Sequence, residues 1–403
     1  MRWASPAQFR GLLCAHLAIL NKNRRPLRRF GTVMSLHGKV AASHSTDFQP
    51  SRPADGGSIL EAAVRVLTAQ SATEKATLTH QTADMWRDRR LQCSILPDST
   101  PEVPDRPGRD DCVRLVDPRK MKSPGKGNTL QSRQRLVHSL VHIESWAVDL
   151  SWDIIARFGA DPSYQLPQEF FDDFVRVAED ECRHHEMLRE RLEEMGSFYG
   201  AFPAHDALWD SAAATAHSLP ARLAIEHCTH EARGLDVMPS TVAKFRVNGD
   251  EMTAKLLEDV IYKEEITHCA AGVRWLKHLH SLAHESQELA SSASPTQDPI
   301  TDPGTASASE AGVPWMEEAR QFPKVELWFH ALVKKYFKGS LKPPFNTVGR
   351  AQAGFGEEWY MPIAAASGSS AAASDGAGPS QQRPGLTNPA PVPASRCLIG
   401  AGL

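Results

Sequence analysis

The chain has 403 residues, of which 41% are hydrophobic and 23% are charged, as is typical of soluble globular proteins. Its net charge of −3 provides no overall field that would attract nucleic acid or a membrane surface, and its mean hydropathy of −0.37 argues against a transmembrane helix. The seven cysteines form no CxxC pair, which argues against both a disulfide framework and a zinc ribbon, and favours a reducing compartment.

The N-terminal segment has a strong charge bias, because the first 46 residues contain several arginines but neither Asp nor Glu. Such a bias is typical of a mitochondrial transit peptide, and a disordered basic extension is the alternative. Residues 1–57 are therefore assigned to a disordered basic extension or transit peptide. We predict a cytoplasmic protein, with a mitochondrial location as the alternative.

Residues 58–128 are predicted to form N-terminal helices and an extended arm that pack on the main helical region. Apolar residues recur at helical spacing from Leu60 to Leu67. Residues 95–128 are rich in proline, glycine and charged residues, a composition that fits an extended arm or a loop.

Residues 129–283 carry the clearest helical pattern and are predicted to form a four-helix bundle. Pro167 and Gly196 mark the start and the end of the second helix, and Gly234 marks the end of the third. The long connection after Gly196 joins two helical hairpins, and a minor helix is expected near 239–247. The four long helices are predicted at about 130–158, 167–195, 219–234 and 249–283.

The remaining segments are predicted to surround this region or to be disordered. Residues 284–312 are rich in Ser, Pro, Thr and Ala and indicate a low-complexity insertion. Residues 313–363 are expected to pack on the bundle, with an amphipathic helix at 325–337 followed by an aromatic loop. Residues 364–403 have the composition of a disordered tail.

The chain contains two copies of one pattern, in which a helix with a glutamate among apolar residues precedes a helix with a Glu-x-x-His pair. Residues three apart share a helical face. The two glutamates of a copy are separated by 37 residues in the first half and by 34 in the second. Antiparallel helices would bring such positions to equal height, so that four carboxylates and two imidazoles converge. The residues of the pattern are Glu144, Glu181 and His184 in the first copy, and Glu231, Glu265 and His268 in the second.

This donor set is the ligand pattern of dinuclear carboxylate proteins of the ferritin-like class. Carboxylates are hard anionic ligands that can bridge two cations, and buried carboxylates need a compensating positive charge. We therefore predict an all-α, ferritin-like four-helix bundle of two helical hairpins joined by a long crossover, with extra N-terminal helices and disordered termini. The six residues are the predicted metal ligands, for two iron ions or a manganese–iron pair.

Each assignment has a simpler structural alternative. Glu181 stands among Glu179, Asp180 and Glu186, and Glu264 stands beside Glu265, so a solvated acidic surface is the alternative at both places. The other histidines of this region are expected to be surface residues or hydrogen-bonded core residues: His138, His142, His185 and His230.

Further polar residues are candidates for roles around the ligands. Tyr262 and His227 share the ligand face of their helices and could support the ligands or take part in redox chemistry. The stretch SFYGAFPAHDALWD could line a substrate entrance, and a crossover that only packs on the bundle is the alternative. The candidate entrance residues are Tyr199, His205, Asp206 and Trp209.

Several long stretches resemble a known family. They are HIESWAVDLSWDIIARFG, AEDECRHHEMLRERLEEMGSFYGAFPAHDALWDSA, ARLAIEHCTHEARGLDVMPS and EEITHCAAGVRWL, flanked by DPRKMKSPGKGN and KPPFNTVGRAQAGFGEEWYMP. The family that they resemble is domain of unknown function 455, over roughly residues 58–363 with the insertion excluded. The resemblance implies a ferritin-like bundle with a metal centre, the same six ligands and no firmly assigned reaction. The N-terminal extension, the insertion and the tail depart from the family pattern.

The sequence favours an O₂-activating oxidoreductase that hydroxylates or desaturates a substrate, with the glutamates holding and bridging the metals and the histidines as terminal ligands. Such an enzyme would have an organic substrate, a reductant and O₂ as partners, and a homodimer is one expected assembly. A nucleic-acid partner is disfavoured, because RKMKSPGK is the one compact basic cluster in the part of the chain predicted to be ordered, and a tRNA substrate would need a broader basic surface. The alternatives are a ferroxidase or iron-handling protein, and a metal-binding bundle without catalysis.

Overall fold

The computed structural model describes residues 57–93, 101–121, 123–292 and 313–365. These residues are mostly α-helical and contain no β-strand beyond two isolated bridges, which confirms the predicted all-α class. The predictions for the N-terminal extension, for the tail from 366 onward and for most of the insertion lie outside the described residues. None of the helices described is both long enough and apolar enough to cross a bilayer.

The main helices follow the chain order, and two of the long ones contain π-helical turns. Segments Leu223–His230 and Leu257–Ile261 are π-helical, and they join α6 to α7 and α8 to α9 without a break. The α-helices are α1 (Ile59–Thr68), α2 (Ala72–Arg87), α3 (Leu130–Phe158), α4 (Gln168–Glu194), α5 (Ala207–Ala214), α6 (Leu219–Arg222), α7 (Glu231–Val247), α8 (Glu251–Leu256), α9 (Tyr262–Ser292), α10 (Pro314–Arg320), α11 (Val325–Tyr336), α12 (Thr347–Gln352) and α13 (Glu357–Tyr360).

The first two long helices begin and end where local sequence signals predict. The Thr129 hydroxyl accepts a hydrogen bond from the Ser132 amide and caps the N-terminus of α3. Pro167 precedes the first residue of α4, and Gly196 follows its end with a φ of +78°, a left-handed conformation that favours glycine. These two helices match the predicted ranges to within a residue or two.

The long helices pack as two pairs that also contact each other. Helix α3 lies along α4, and α9 packs against the π-helical segment Leu223–His230 and against α7. Helix α9 further contacts α4, which connects the pairs. Helix α1 covers α3 and α2 covers α4, while α10, α11 and α12 lie against α9.

The third long helix does not end at Gly234 as predicted but continues through Pro239 to Val247. A proline inside a helix removes an amide donor, so the carbonyl four residues earlier loses its partner. That carbonyl belongs to Leu235, and it accepts a hydrogen bond of 3.0 Å from the side-chain amide of Asn346. Asn346 is 111 residues away in sequence, so no local pattern could indicate this compensation. The predicted minor helix at 239–247 is therefore the second half of one continuous helix.

The fourth long helix continues past its predicted end at 283 to Ser292, and the aromatic loop expected at 338–363 contains two short helices, α12 and α13. This segment is anchored on α7. Arg350, which is 1% exposed, forms two hydrogen bonds with the Asp236 carboxylate at 2.8 and 2.6 Å. The backbone amide of Asn346 donates to the same carboxylate.

Close packing of α9 against the π-helical segment depends on a glycine. A Cβ atom at Gly272 would lie 2.0 Å from the carbonyl oxygen of His227, a distance that real contacts do not reach. Gly272 follows His268 by one helical turn, so the same close approach sets the separation between His268 and the helix that carries Glu231.

We predict that Gly272→Ala destabilises the protein by about 1–3 kcal/mol, because the added methyl group forces two helical backbones apart. Gly234→Ala is the matched control, since a Cβ there meets no atom within 4 Å. The Gly234→Ala substitution should stabilise the folded protein by about 0.5–1 kcal/mol, because alanine has a higher helix propensity than glycine. Urea unfolding of both variants measures the two changes, and equal effects of the two substitutions would contradict the packing argument.

Candidate metal centre

The six predicted ligand residues lie together between the four long helices. Glu144 is on α3, Glu181 and His184 are on α4, and Glu265 and His268 are on α9; Glu231 is the first residue of α7, directly after a π-helical segment. Five of them are buried and Glu231 is partly buried. The i, i+3 spacing places the glutamate and the histidine of each pair on one helical face, as the sequence predicts.

The donor atoms form two groups that overlap. In each group, one potential ligand atom per residue lies within 4.8 Å of the others. Two glutamates, Glu181 and Glu265, belong to both groups. Each group then adds one further glutamate and one histidine of its own. The first group is Glu144, Glu181, His184 and Glu265, and the second is Glu181, Glu231, Glu265 and His268.

The atoms of the cluster that could bind a metal lie close together, yet several of them are buried and make no hydrogen bond. His268 Nδ1 lies 2.9 Å from Glu181 Oε1, and His184 Nδ1 lies 3.5 Å from Glu265 Oε1. Three of these atoms have no partner with hydrogen-bond geometry: Glu181 Oε2, His184 Nδ1 and His268 Nδ1. Buried polar atoms are almost always paired in folded proteins. Unpaired acceptor atoms that converge within each group fit a cation between them. The residues therefore suit the pair of metal ions that the sequence predicts.

The outward nitrogens of both histidines face carboxylates from the opposite helix pair. His184 Nε2 on α4 lies 2.7 Å from Glu264 Oε2 on α9, and His268 Nε2 on α9 lies 3.5 Å from Asp180 Oδ2 on α4. A proton on Nε2 leaves Nδ1 with its lone pair directed at the other donors, which is the tautomer that a metal ligand needs. Arg183 bonds to Asp180 at 2.8 Å and to Glu264 at 2.6 Å, and so ties the two outer carboxylates together.

Asp180 and Glu264 are functional candidates that the sequence reasoning left as surface acids. Each stands directly before a glutamate shared by both donor groups, in the stretches EDECRHH and KEEITHC. An acidic doublet followed three residues later by histidine occurs in both halves of the chain. That repetition is the signal that could have identified them, but it does not reveal that each acid reaches the histidine of the other half.

Crowding of carboxylates shifts the pKa values of the glutamates in opposite directions. Burial raises the pKa of Glu144 well above its usual range, and the adjacent Glu181 adds to the rise. Burial and the neighbouring carboxylates of Glu265 and Glu181 likewise raise the pKa of Glu231. Burial acts on Glu181 too, but the adjacent imidazoles, above all His268, outweigh it and hold its pKa well below the usual range.

Both imidazoles favour the protonated form when the cluster holds no metal. Burial would lower the pKa of His184, but the surrounding carboxylates, led by Glu144, raise it well above its usual range. Burial opposes the charge on His268 in the same way, and the Glu181 carboxylate outweighs it. The cluster therefore balances its own charge with protons, which a cation would displace.

The two other residues of the predicted ligand face belong to neither donor group. His227 packs edge-on against Phe174 with ring centroids 4.9 Å apart, and its Nε2 has no hydrogen-bond partner. Burial lowers its pKa to about 3, so the ring is neutral. The Tyr262 hydroxyl accepts a hydrogen bond of 2.8 Å from Asn346, in the C-terminal segment that anchors α7.

The four candidate entrance residues separate into two sets. Tyr199 and Asp206 line a cavity against α3 and α4. Trp209 is 3% exposed and stacks on Trp146, and the His205 carbonyl accepts a hydrogen bond from His142, so both of these residues pack the crossover onto α3.

Comparison with known proteins identifies a family match that spans the cluster. The family model described as "Protein of unknown function (DUF455)" matches residues 68–294, a range that holds all six candidate ligands. A curated relative from Haemophilus influenzae, named "Uncharacterized protein", is 37% identical over 141 residues, which are 34% of this chain and 49% of the relative. The chain thus spans about half the length of this curated relative. No solved structure matches the chain significantly.

We predict that Glu264→Ala lowers metal affinity by about 10–100-fold, because His184 loses the acceptor that fixes its tautomer and orientation. Glu258→Ala is the matched control, since Glu258 is an exposed acid on the same long helix that pairs with Arg246. Competition with a chelator of known affinity, using Mn(II) or Co(II), measures both variants. Equal affinities for the two variants would mean that Glu264 is only a surface acid.

We also predict that metal binding releases protons. Glu144, Glu231, His184 and His268 all have raised pKa values in the metal-free cluster, so they keep protons to higher pH than ordinary glutamates and histidines, and a cation must displace those protons. Metal affinity should therefore rise as pH rises. Titration of weakly buffered protein with Mn(II) in the presence of a pH indicator measures the release, and pH-independent affinity without proton release would contradict this reading.

Proposed function

The chain belongs to the DUF455 family, and we propose that it is a ferritin-like dinuclear metal protein that acts as an O₂-activating oxidoreductase. One observation carries the proposal: two buried donor groups share exactly two carboxylates, those of Glu181 and Glu265. A shared pair of carboxylates between two sets of terminal ligands is what two adjacent cations require.

Each residue has a definite part in this proposal. Glu181 and Glu265 would bridge the two metals. Glu144 with His184 would complete the coordination of one, and Glu231 with His268 would complete that of the other. The first set combines residues of α3 and α4, and the second combines residues of α7 and α9. One glutamate from each of two helices and one Glu-x-x-His from each of two others is the donor pattern of the ferritin-like class.

The donor chemistry favours iron, or manganese with iron, over softer metals. Four carboxylates and two imidazoles offer hard oxygen and borderline nitrogen ligands, and no thiolate belongs to either group. A reduced pair of such metals supplies the electrons for O₂ activation. The protein residues hold the pair in a buried space: the outer carboxylates Asp180 and Glu264 orient the imidazoles, and Arg183 fixes the outer carboxylates.

Metal counting with O₂ consumption tests the proposal. Wild-type protein should bind about two metals per chain, and it should consume O₂ after anaerobic loading with Fe(II). Glu144→Ala alters only the first donor group and should lower the count to about one, whereas Glu181→Ala alters both groups and should lower it further. Glu190→Ala, an exposed acid of α4, is the control and should behave as wild type.

The outcomes separate the alternatives. Rapid O₂ consumption with accumulation of many ferric ions per chain would favour a ferroxidase or iron-handling protein over an oxidoreductase. Two bound metals without O₂ consumption would leave a metal-binding bundle without catalysis. The proposed site would be overturned if the wild-type protein bound no metal, or if Glu181→Ala left the metal content unchanged.

A further inference from the structure

A cavity of about 60 Å³ lies between α2, the arm at 101–116 and the α3–α4 pair; we call it the α2 pocket. None of the six candidate metal ligands lines it. Ser145 and His185 do line it, and each directly follows a candidate ligand in sequence. Because successive helical residues project about 100° apart, the pocket faces a different side of α3 and α4 from the ligand cluster.

The pocket wall contains an excess of buried positive charge. The Lys75 ammonium, on a residue that is 6% exposed, lies 2.5 Å from Asp149 Oδ1. The Arg109 guanidinium pairs with the other oxygen of the same carboxylate, and Asp149 is fully buried. Two cations thus share one anion. Burial lowers the pKa of Lys75, and Arg109 adds to this effect while the Asp149 carboxylate opposes it.

No other group facing the pocket supplies the missing anion. Arg106 pairs one-to-one with Asp206, so this pair adds no net charge. The imidazoles of His142 and His185 cannot supply the anion, because an imidazole side chain is either neutral or cationic. Asp110 is exposed at the mouth, where water screens its charge.

The Arg109 side chain is held in place by its neighbours. The terminal nitrogens of Arg109 donate to Ser145 and Asp149, and its guanidinium lies 3.5 Å from the ring centroid of Trp146, which fixes its orientation. Its Nε is buried without a partner. Nε2 of His185, a residue that is 4% exposed, is likewise unpaired.

We propose that the α2 pocket binds a small organic acid, with its carboxylate held by Lys75 and Arg109. A buried water occupies about 10–15 Å³ on this measure, so the cavity has room for about four or five non-hydrogen atoms. Ala76 and Val148 supply apolar wall beside the charged groups, which favours a short carbon chain over a fully polar ion. The argument uses no property of the metal cluster and stands independently of the proposed function.

Binding of short carboxylates to the full-length protein tests this inference. Thermal unfolding and calorimetric titration are carried out with acetate, propionate and butyrate, with inorganic phosphate as a second anion and chloride at equal ionic strength as the blank. The acids should raise Tm in a concentration-dependent manner, since a ligand that binds only the folded state stabilises it. Chloride should have no such effect.

Lys75→Met is the decisive variant, because it removes the excess charge and leaves Asp149 paired with Arg109. Affinity for the acids should fall by at least about tenfold, the loss expected for one charge-assisted contact. Its Tm in chloride should equal or exceed that of wild type, because replacing a buried ion with an apolar residue of similar volume is often neutral or stabilising. Lys255→Met, at an exposed lysine, is the control and should bind as wild type.

A second variant tests the pocket without altering any charge. Ala76→Leu fills the cavity and should abolish binding of the acids even if Lys75→Met fails to fold. The inference is overturned if wild type binds none of the acids, or if both variants bind them as wild type does. Tighter binding of phosphate than of every acid would overturn the assignment to an organic acid.

Discussion

The mutual repulsion of buried carboxylates is the constraint on which the rest of this structure depends. Four glutamates approach one another between the long helices, where little water is present to screen their charges. In the metal-free protein the raised pKa values of Glu144, Glu231, His184 and His268 favour their protonated forms, which reduces the net negative charge. Two cations would neutralise the carboxylates without these protons.

The candidate ligands of the second half lie close to local departures from regular α-helix. Both π-helical segments lie in the helices of the second half, one ending directly before Glu231 and the other four residues before Glu265. A π-helical turn inserts an extra residue and rotates the residues after it, and such turns are frequent at functional sites. Gly272 then allows α9 to approach the first of these segments at backbone contact distance. The first half, with α3 and α4, reaches its ligand positions through regular helices.

Periodicity and spacing predicted the all-α class, the ranges of α3 and α4, and the six residues that the structure brings together. These sequence patterns gave wrong or incomplete predictions where a residue distant in the sequence stabilises the local structure. Gly234 and Pro239 are strong local signals for a helix end, but Asn346 satisfies the carbonyl that Pro239 leaves free. Asp180 and Glu264 looked like surface acids because their partners lie on another helix. The pairing of Lys75 with Asp149 spans 74 residues and has no local signature.

The two helix pairs contribute the same kinds of donor residue to the cluster but are covered by different segments. The α7–α9 pair is closed by the C-terminal segment, whose Arg350 and Asn346 bind Asp236. The α3–α4 pair is covered by α2 and the arm, which enclose the α2 pocket. Because the two donor sets are equivalent, the two sides of the cluster differ mainly in these coverings. The proposed organic-acid site therefore belongs to the α3–α4 side, where two buried cations share the Asp149 carboxylate.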